Sequence, residues 1–155
     1  MHAHYKLALQ DKWSELAAKR GYMAVVEGRV SAASGTVKSW LKQIKAMKVY
    51  SVSKGNDDDA KEAITHYKIA KVGNNFSLLE ITLQTGRKNQ IRVHMSDIGH
   101  PIAGDVKYGV VSNPLKRLCL HAHLLVIRHP YTNVEMRFES PMPSVFKKLF
   151  RNDEN

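Results

Sequence analysis

Cysteine is nearly missing from this chain: Cys119 stands alone among 155 residues. An intramolecular disulfide is thereby excluded, and a cysteine-based structural zinc site is not expected. Flanked by Leu118 and Leu120, the thiol reads as a small buried apolar group rather than a nucleophile. Negative charge is scarce too. Against 24 Lys and Arg there are 14 Asp and Glu, a formal net charge of +10 at pH 7. A surplus of this sign favours a polyanionic partner, because neutralising phosphates releases condensed counterions. RNA, DNA and an anionic membrane surface all satisfy that condition. No apolar run approaches the roughly 20 residues a bilayer-spanning helix requires, and the N-terminus lacks the charged-then-apolar pattern of a signal peptide. The expectation is a soluble cytoplasmic protein without a membrane partner.

What is present is patterned. An apolar fraction of 43% over 155 residues suits one globular domain with a real core, here residues 1–150, followed by a frayed charged tail over 151–155. Tyr5, Leu9, Trp13 and Leu16 fall at helical spacing and predict an amphipathic helix; Lys19 and Arg20 near its end suit the negative pole of the helix dipole, and Gly21 stops it. A strand is expected over residues 22–27 and a connection over 28–35. Over residues 36–50 the backbone is left open. Lys38, Lys42, Lys45 and Lys48 alternate there with Trp40, Leu41, Ile44 and Met47, a basic surface flanking apolar anchors that is either an RNA contact or a solvated lysine face. Asp57, Asp58 and Asp59 sit in a loop without the alternating ligand pattern of a calcium site, so they read as a solvated tip.

Residues 63–72 and 76–85 predict a hairpin joined across Gly73, Asn74 and Asn75, residues that accept positive φ. Leu79, Ile81 and Leu83 alternate with Glu80, Thr82 and Gln84, the period of a strand with one buried face. The strand runs into Thr85-Gly86, where a sharp turn is expected. A short helix follows, with Ile91, Met95 and Ile98 at helical spacing, Thr85 or Gly86 as its cap and Gly99 past its end. Arg87, Lys88, Gln90 and Arg92 crowd its start, a cluster suited to phosphate or carboxylate. Further on, residues 118–128 and 134–138 read as strands, Pro141 and Pro143 end the sheet, and Ser144 caps a short helix over 145–150. Eight histidines, among them His94, His100, His121, His123 and His129, lack converging acidic partners and read as hydrogen-bonded structural or RNA-facing groups. The pattern is α+β: a mainly antiparallel sheet with a few helices packed on it.

The segment TGRKNQIRVH at residues 85–94, followed by IGHPIAGDVKYG at 98–109, resembles the signature of the RluA-type pseudouridine synthases, which isomerise uridine in structured RNA. KRGYMAVVEG at 19–28, AITHYKIAKV at 63–72, LHAHLLVIRHP at 120–130 and ESPMPSVF at 139–146 resemble the same family in the same order. The resemblance implies part of a mixed, mostly antiparallel sheet, incomplete at its N-terminal side, with an active-site cleft across one face. It implies no metal, nucleotide or redox cofactor. Tyr22 matches the tyrosine that stacks on the flipped base and receives the C5 proton; Arg92 matches the arginine paired with the catalytic carboxylate. Arg87, Lys88, Gln90 and His94 are assigned to RNA contacts and Leu120 to the cleft wall. Asn89 and Lys88 stand where many members have histidine and threonine. Gly104-Asp105 reads as a structural turn.

The family's other signature, an Arg-Leu-Asp that carries the catalytic aspartate, does not occur in this sequence. The expectation is therefore the C-terminal portion of a synthase catalytic domain, inactive alone, whose Arg92 must find water, an anion or another carboxylate. The alternative is a non-catalytic RNA-binding module on the same scaffold. Ribosomal RNA is the first partner implied and transfer RNA the second, and a homodimer is expected through uncovered sheet edges or apolar surface.

Overall fold

A computed structural model describes residues 17–45, 48–53, 57–109 and 112–153. The helix expected around Tyr5, Leu9, Trp13 and Leu16 lies outside these residues. Seven strands are described: β1 (Ala17–Glu27), β2 (Ser34–Lys45), β3 (Lys48–Val52), β4 (Lys61–Val72), β5 (Phe76–Leu83), β6 (Leu120–Arg128) and β7 (Glu135–Glu139). They form one sheet in the order β3-β2-β4-β5-β1-β6-β7, and every pairing is antiparallel. Helix α1 (Gln90–Asp97) and two 3-10 segments, Val106–Tyr108 and Ser144–Asp153, pack on the sheet. The α+β expectation, a mainly antiparallel sheet carrying a few helices, is what the chain forms.

The undecided stretch over 36–50 is strand on both sides of a hairpin, β2 and β3. Lys38 and Lys42 are paired there with Glu62 at 3.5 Å and Asp57 at 2.7 Å, and Lys68 with Glu80 at 3.5 Å. The solvated lysine face is thus partly neutralised by strand and loop neighbours, and Asp57 is not merely a solvated tip. The hairpin of β4 and β5 turns at Gly73–Asn75 as expected, with the Gly73 N–H donating to the Phe76 carbonyl at 2.8 Å, though without positive φ at any of the three.

Three local expectations are corrected. Lys19, Arg20 and Gly21 belong to β1, not to the end of a helix, and Tyr22 lies inside the strand rather than opening it. Gly21 does not stop an element. It faces β6 so closely that an added Cβ would meet His123 Nε2 at 3.0 Å and Leu124 Cβ at 3.1 Å, beside an irregularity in the β1–β6 register. The cap of α1 is Asn89, not Thr85 or Gly86. Its φ of 57° is left-handed, a conformation asparagine tolerates better than most residues, and it makes no side-chain cap bond. Gly99 follows the helix at φ 84°, as expected. Finally, the last helix is 3-10 and runs through Arg151 to Asp153, so the tail does not fray at residue 151.

β1 is first among the described strands yet central in the sheet, between β5 and β6, and its Ala24, Val25 and Val26 are fully buried with Leu79, Ile81, Met95, Ile102 and Phe146. Side chains of Leu or Ile size buried to this extent contribute about 1.5–3 kcal/mol each. Cys119 joins the same cluster, and burial pushes its thiol pKa up, which suits an inert packing group. In register, Tyr22 lies opposite Ile81 of β5 and Ala122 of β6, and Thr65 of β4 lies opposite Leu83. Alternation places Arg20, Tyr22, Leu83 and Thr65 on one face. That is the face α1 covers.

Candidate functional site

The strand-to-helix connection after β5 is held by one side chain. Gln90 Nε2 donates to the Ile64 carbonyl at 3.0 Å and to Thr65 Oγ1 at 2.9 Å; its Oε1 accepts from the Thr85 hydroxyl at 2.7 Å and the Arg87 N–H at 3.0 Å. Gln90 is 2% exposed, with all four of its bonds made inside the protein. The expectation that it touches RNA is therefore corrected: it clamps β4, the turn and α1 together.

His94 is corrected for the same reason. It is fully buried, with Nδ1 bonded to the Thr65 hydroxyl at 2.7 Å and Nε2 to Ser39 Oγ at 2.8 Å. Ser39 then bonds Ser51 at 3.0 Å, and the Ser51 hydroxyl donates to the Asp97 carboxylate. Because the Ser51 hydroxyl donates to Asp97, Ser39 donates to Ser51 and accepts from His94 Nε2–H, which leaves Nδ1 of a neutral ring to accept from the Thr65 hydroxyl. Burial lowers the His94 pKa below its ordinary 6.5, which favours the neutral imidazole that this chain of bonds accommodates. Gln90 and His94 share a helical face four residues apart, next to Ile91 and Met95. That spacing was the available signal that both point inward.

Arg92 projects from the other side of α1 and meets a carboxylate that sequence reading treated as a turn former. Asp105 accepts from Arg92 Nε at 3.1 Å and from Nη2 at 2.7 Å, a two-point fork. The Asp105 side chain is fully buried while that of Arg92 is 23% exposed, and the guanidinium also lies 5.2 Å from the centre of the Tyr108 ring. The hydrogen bonds that Arg92 donates to Asp105 raise its pKa further, which favours the charged guanidinium. Asp105 is set by Gly104, φ 82°, where a Cβ would collide with the Arg117 carbonyl. The turn is structural, as expected, and it also delivers the partner of Arg92.

Tyr22, Leu83, Arg87, Asn89, Gln90, Ile91, Arg92 and Leu120 line one cavity of about 180 Å³. Tyr22 from β1 and Arg92 from α1, the two residues singled out as catalytic, thus share a depression with Leu120 in its wall. Arg87 borders it too, its Nε donating to the Glu62 carbonyl at 2.9 Å. Lys88 is exposed and lies outside the lining. Among the described residues, none of those lining the cavity is acidic. An aromatic face, an apolar wall and a guanidinium in one recess can receive a planar polar ring and an adjacent anionic group.

Residues 3–97 match the family model for RNA pseudouridylate synthase. An uncharacterized RNA pseudouridine synthase of Bacillus subtilis is 35% identical over 137 residues, covering 88% of this chain and 47% of that protein. The ribosomal large subunit pseudouridine synthase D of Zymomonas mobilis is 36% identical over 160 residues, covering 96% and 49%. The chain thus spans about half the length of these relatives. Human RNA pseudouridylate synthase domain containing 1 shares the fold at a TM-score of 0.73 and 23% identity, over 86% of this chain and 58% of that one.

Proposed function

This chain belongs to the RNA pseudouridylate synthase family, and from that premise we propose that its cavity receives a uridine flipped out of structured RNA for conversion to pseudouridine. Ribosomal RNA is the substrate class, as the name of the Zymomonas mobilis relative suggests, and the cytoplasm is the place of action. In this isomerisation the C1′–N1 bond breaks, the freed uracil turns, C1′ bonds to C5, and the C5 proton leaves while N1 ends protonated. No atom is gained or lost.

The observation that carries the reading is the common recess of Tyr22, Arg92 and Leu120. Tyr22 supplies a ring for the base to lie against and an oxygen for the C5 proton. Arg92 supplies fixed positive charge beside it, held in place by Asp105. The energetic cost of unstacking the target is met by stacking on Tyr22 and contact with Leu120. Arg87 and Gln90 both border the cavity, but the amide of Gln90 is spent on bonds inside the protein, which leaves Arg87 to contact RNA there; Lys88 meets RNA outside the cavity.

The carboxylate that acts at C1′ is not supplied by Asp105, which is buried and already bound to Arg92, and the sequence holds no Arg-Leu-Asp. This chain alone therefore binds RNA without turning it over. Tritium release from RNA labelled at uridine C5 should stay at background. Release that disappears in Tyr22→Phe would overturn the inactivity. For the site itself, RNA carrying 4-thiouridine should photo-crosslink to the β1 peptide containing Tyr22. Crosslinks confined to the opposite sheet face, around His66 and Lys68, would refute it.

A further inference from the structure

A second depression of about 290 Å³ adjoins the first and shares Tyr22, Leu83 and Arg87 with it; its other lining residues are Arg20, Gly86, Ala122, Leu124 and Leu125. Two guanidinium groups, Arg20 and Arg87, therefore border an otherwise largely apolar floor. Neither has a carboxylate partner among the described residues. Arg20 is poorly satisfied: Nη2 reaches the Gln84 carbonyl only at 3.4 Å, and Nε is shut off from solvent without an acceptor among the described residues. A guanidinium left this way is costly unless an anion completes it.

The placement of Arg20 is also built. Its Nη1 occupies the space where a Cβ on residue 86 would stand, so the side chain can lie across the turn only because that residue is glycine. Period-2 alternation puts Arg20 on the same face as Tyr22, two residues along β1.

We propose that this depression is the subsite for the nucleotide adjoining the target uridine: Arg20 and Arg87 bind the backbone phosphate between the two, and the neighbouring base rests on Ala122 and Leu125. Guanidinium groups match phosphate oxygens by two-point bonds, and apolar surface accepts any base face, so the subsite reads strand path rather than sequence. The inference deepens the reading of the same cleft and rests on its RNA-binding part.

The test uses the full chain and fluorescent single-stranded pentauridylate, with anisotropy titrations across a range of KCl. Arg20→Gln and Arg87→Gln should each weaken binding about tenfold, the loss of one charge-assisted contact, and each should flatten the salt slope by about 0.7. Gly86→Ala should reproduce Arg20→Gln, because the new methyl displaces a flexible side-chain end and not backbone; its unfolding midpoint should stay at the parent value. Arg20→Lys should recover part of the affinity. Lys38→Gln, on the other face and paired with Glu62, should leave binding as it was. Parent-like binding by Arg20→Gln and Gly86→Ala overturns the proposal, as does pentauridylate that fails to bind. The 4-thiouridine crosslink at Tyr22 reports separately on the first cavity and should survive Arg20→Gln.

Discussion

The ion pair between Arg92 and Asp105 should be the most strongly coupled pair of side chains in the site, and a double-mutant cycle measures it. Asp105 has no exposed side-chain surface and Arg92 retains 23%. Removing one partner of a buried pair costs about 3–5 kcal/mol, because the remaining charge is stranded. The two single variants should differ within that range. Asp105→Ala leaves a guanidinium that borders the cavity and can turn toward water, so it should cost about 3 kcal/mol; Arg92→Ala strands a carboxylate with no route to solvent and should cost about 4 kcal/mol. The double variant strands nothing. It should cost no more than Arg92→Ala alone, giving a coupling of about 3 kcal/mol, well above the roughly 0.5 kcal/mol within which independent sites add. Urea unfolding at pH 7 followed by tryptophan fluorescence reads all four corners, with equal denaturant slopes as the check that the transition is the same one. Additive single variants would refute the account, because they would mean that Asp105 is not what neutralises Arg92.

Three other outcomes follow from particular contacts. His94 has a folded pKa below its unfolded value of about 6.5, so its contribution is full above pH 6.5 and is lost as pH falls and the unfolded chain takes up a proton that the folded one refuses; His94→Gln should flatten stability between pH 7 and pH 5, and an unchanged profile would show that the buried ring is not the group responsible. Gly104→Ala combines a left-handed φ with a collision against the Arg117 carbonyl and should cost at least about 2 kcal/mol, in contrast to Gly86→Ala; equal midpoints for the two would refute that distinction. Tyr131, Val134 and Phe138 are large apolar side chains exposed along β7 and the turn before it, and β7 is an edge strand. A dimer formed there should appear in light scattering and be lost in Phe138→Lys; a monomer at every concentration tested would remove the idea.

Local pattern determined a good deal. Alternation fixed β4 and β5 and the turn between them, because period-2 burial is a property of adjacent residues. Gly99 was legible as the residue after α1, since a left-handed position suits glycine regardless of what surrounds it. The signature residues also located Tyr22 and Arg92, which the fold then brings to one recess from elements 70 positions apart in the chain.

Only the tertiary structure decided what those residues touch. Lys19, Arg20 and Gly21 read as the end of a helix because charge and glycine mark helix ends; pairing of all three with β6, and of Gly21 with β5 as well, overrides that preference and makes them strand. Gln90 and His94 read as RNA-facing because polar residues beside arginines invite it, yet Thr65 and Ser39 arrive from two other strands to satisfy them in the interior. Asp105 follows Arg92 by 13 residues, too far for any helical or strand period to join them, and its carboxylate reaches the guanidinium only through a glycine turn packed against Arg117. Sequence spacing governs which backbone forms. Whether a polar side chain ends in water or against a partner depends on which remote segment folds over it, and that is settled by the packing of the whole chain.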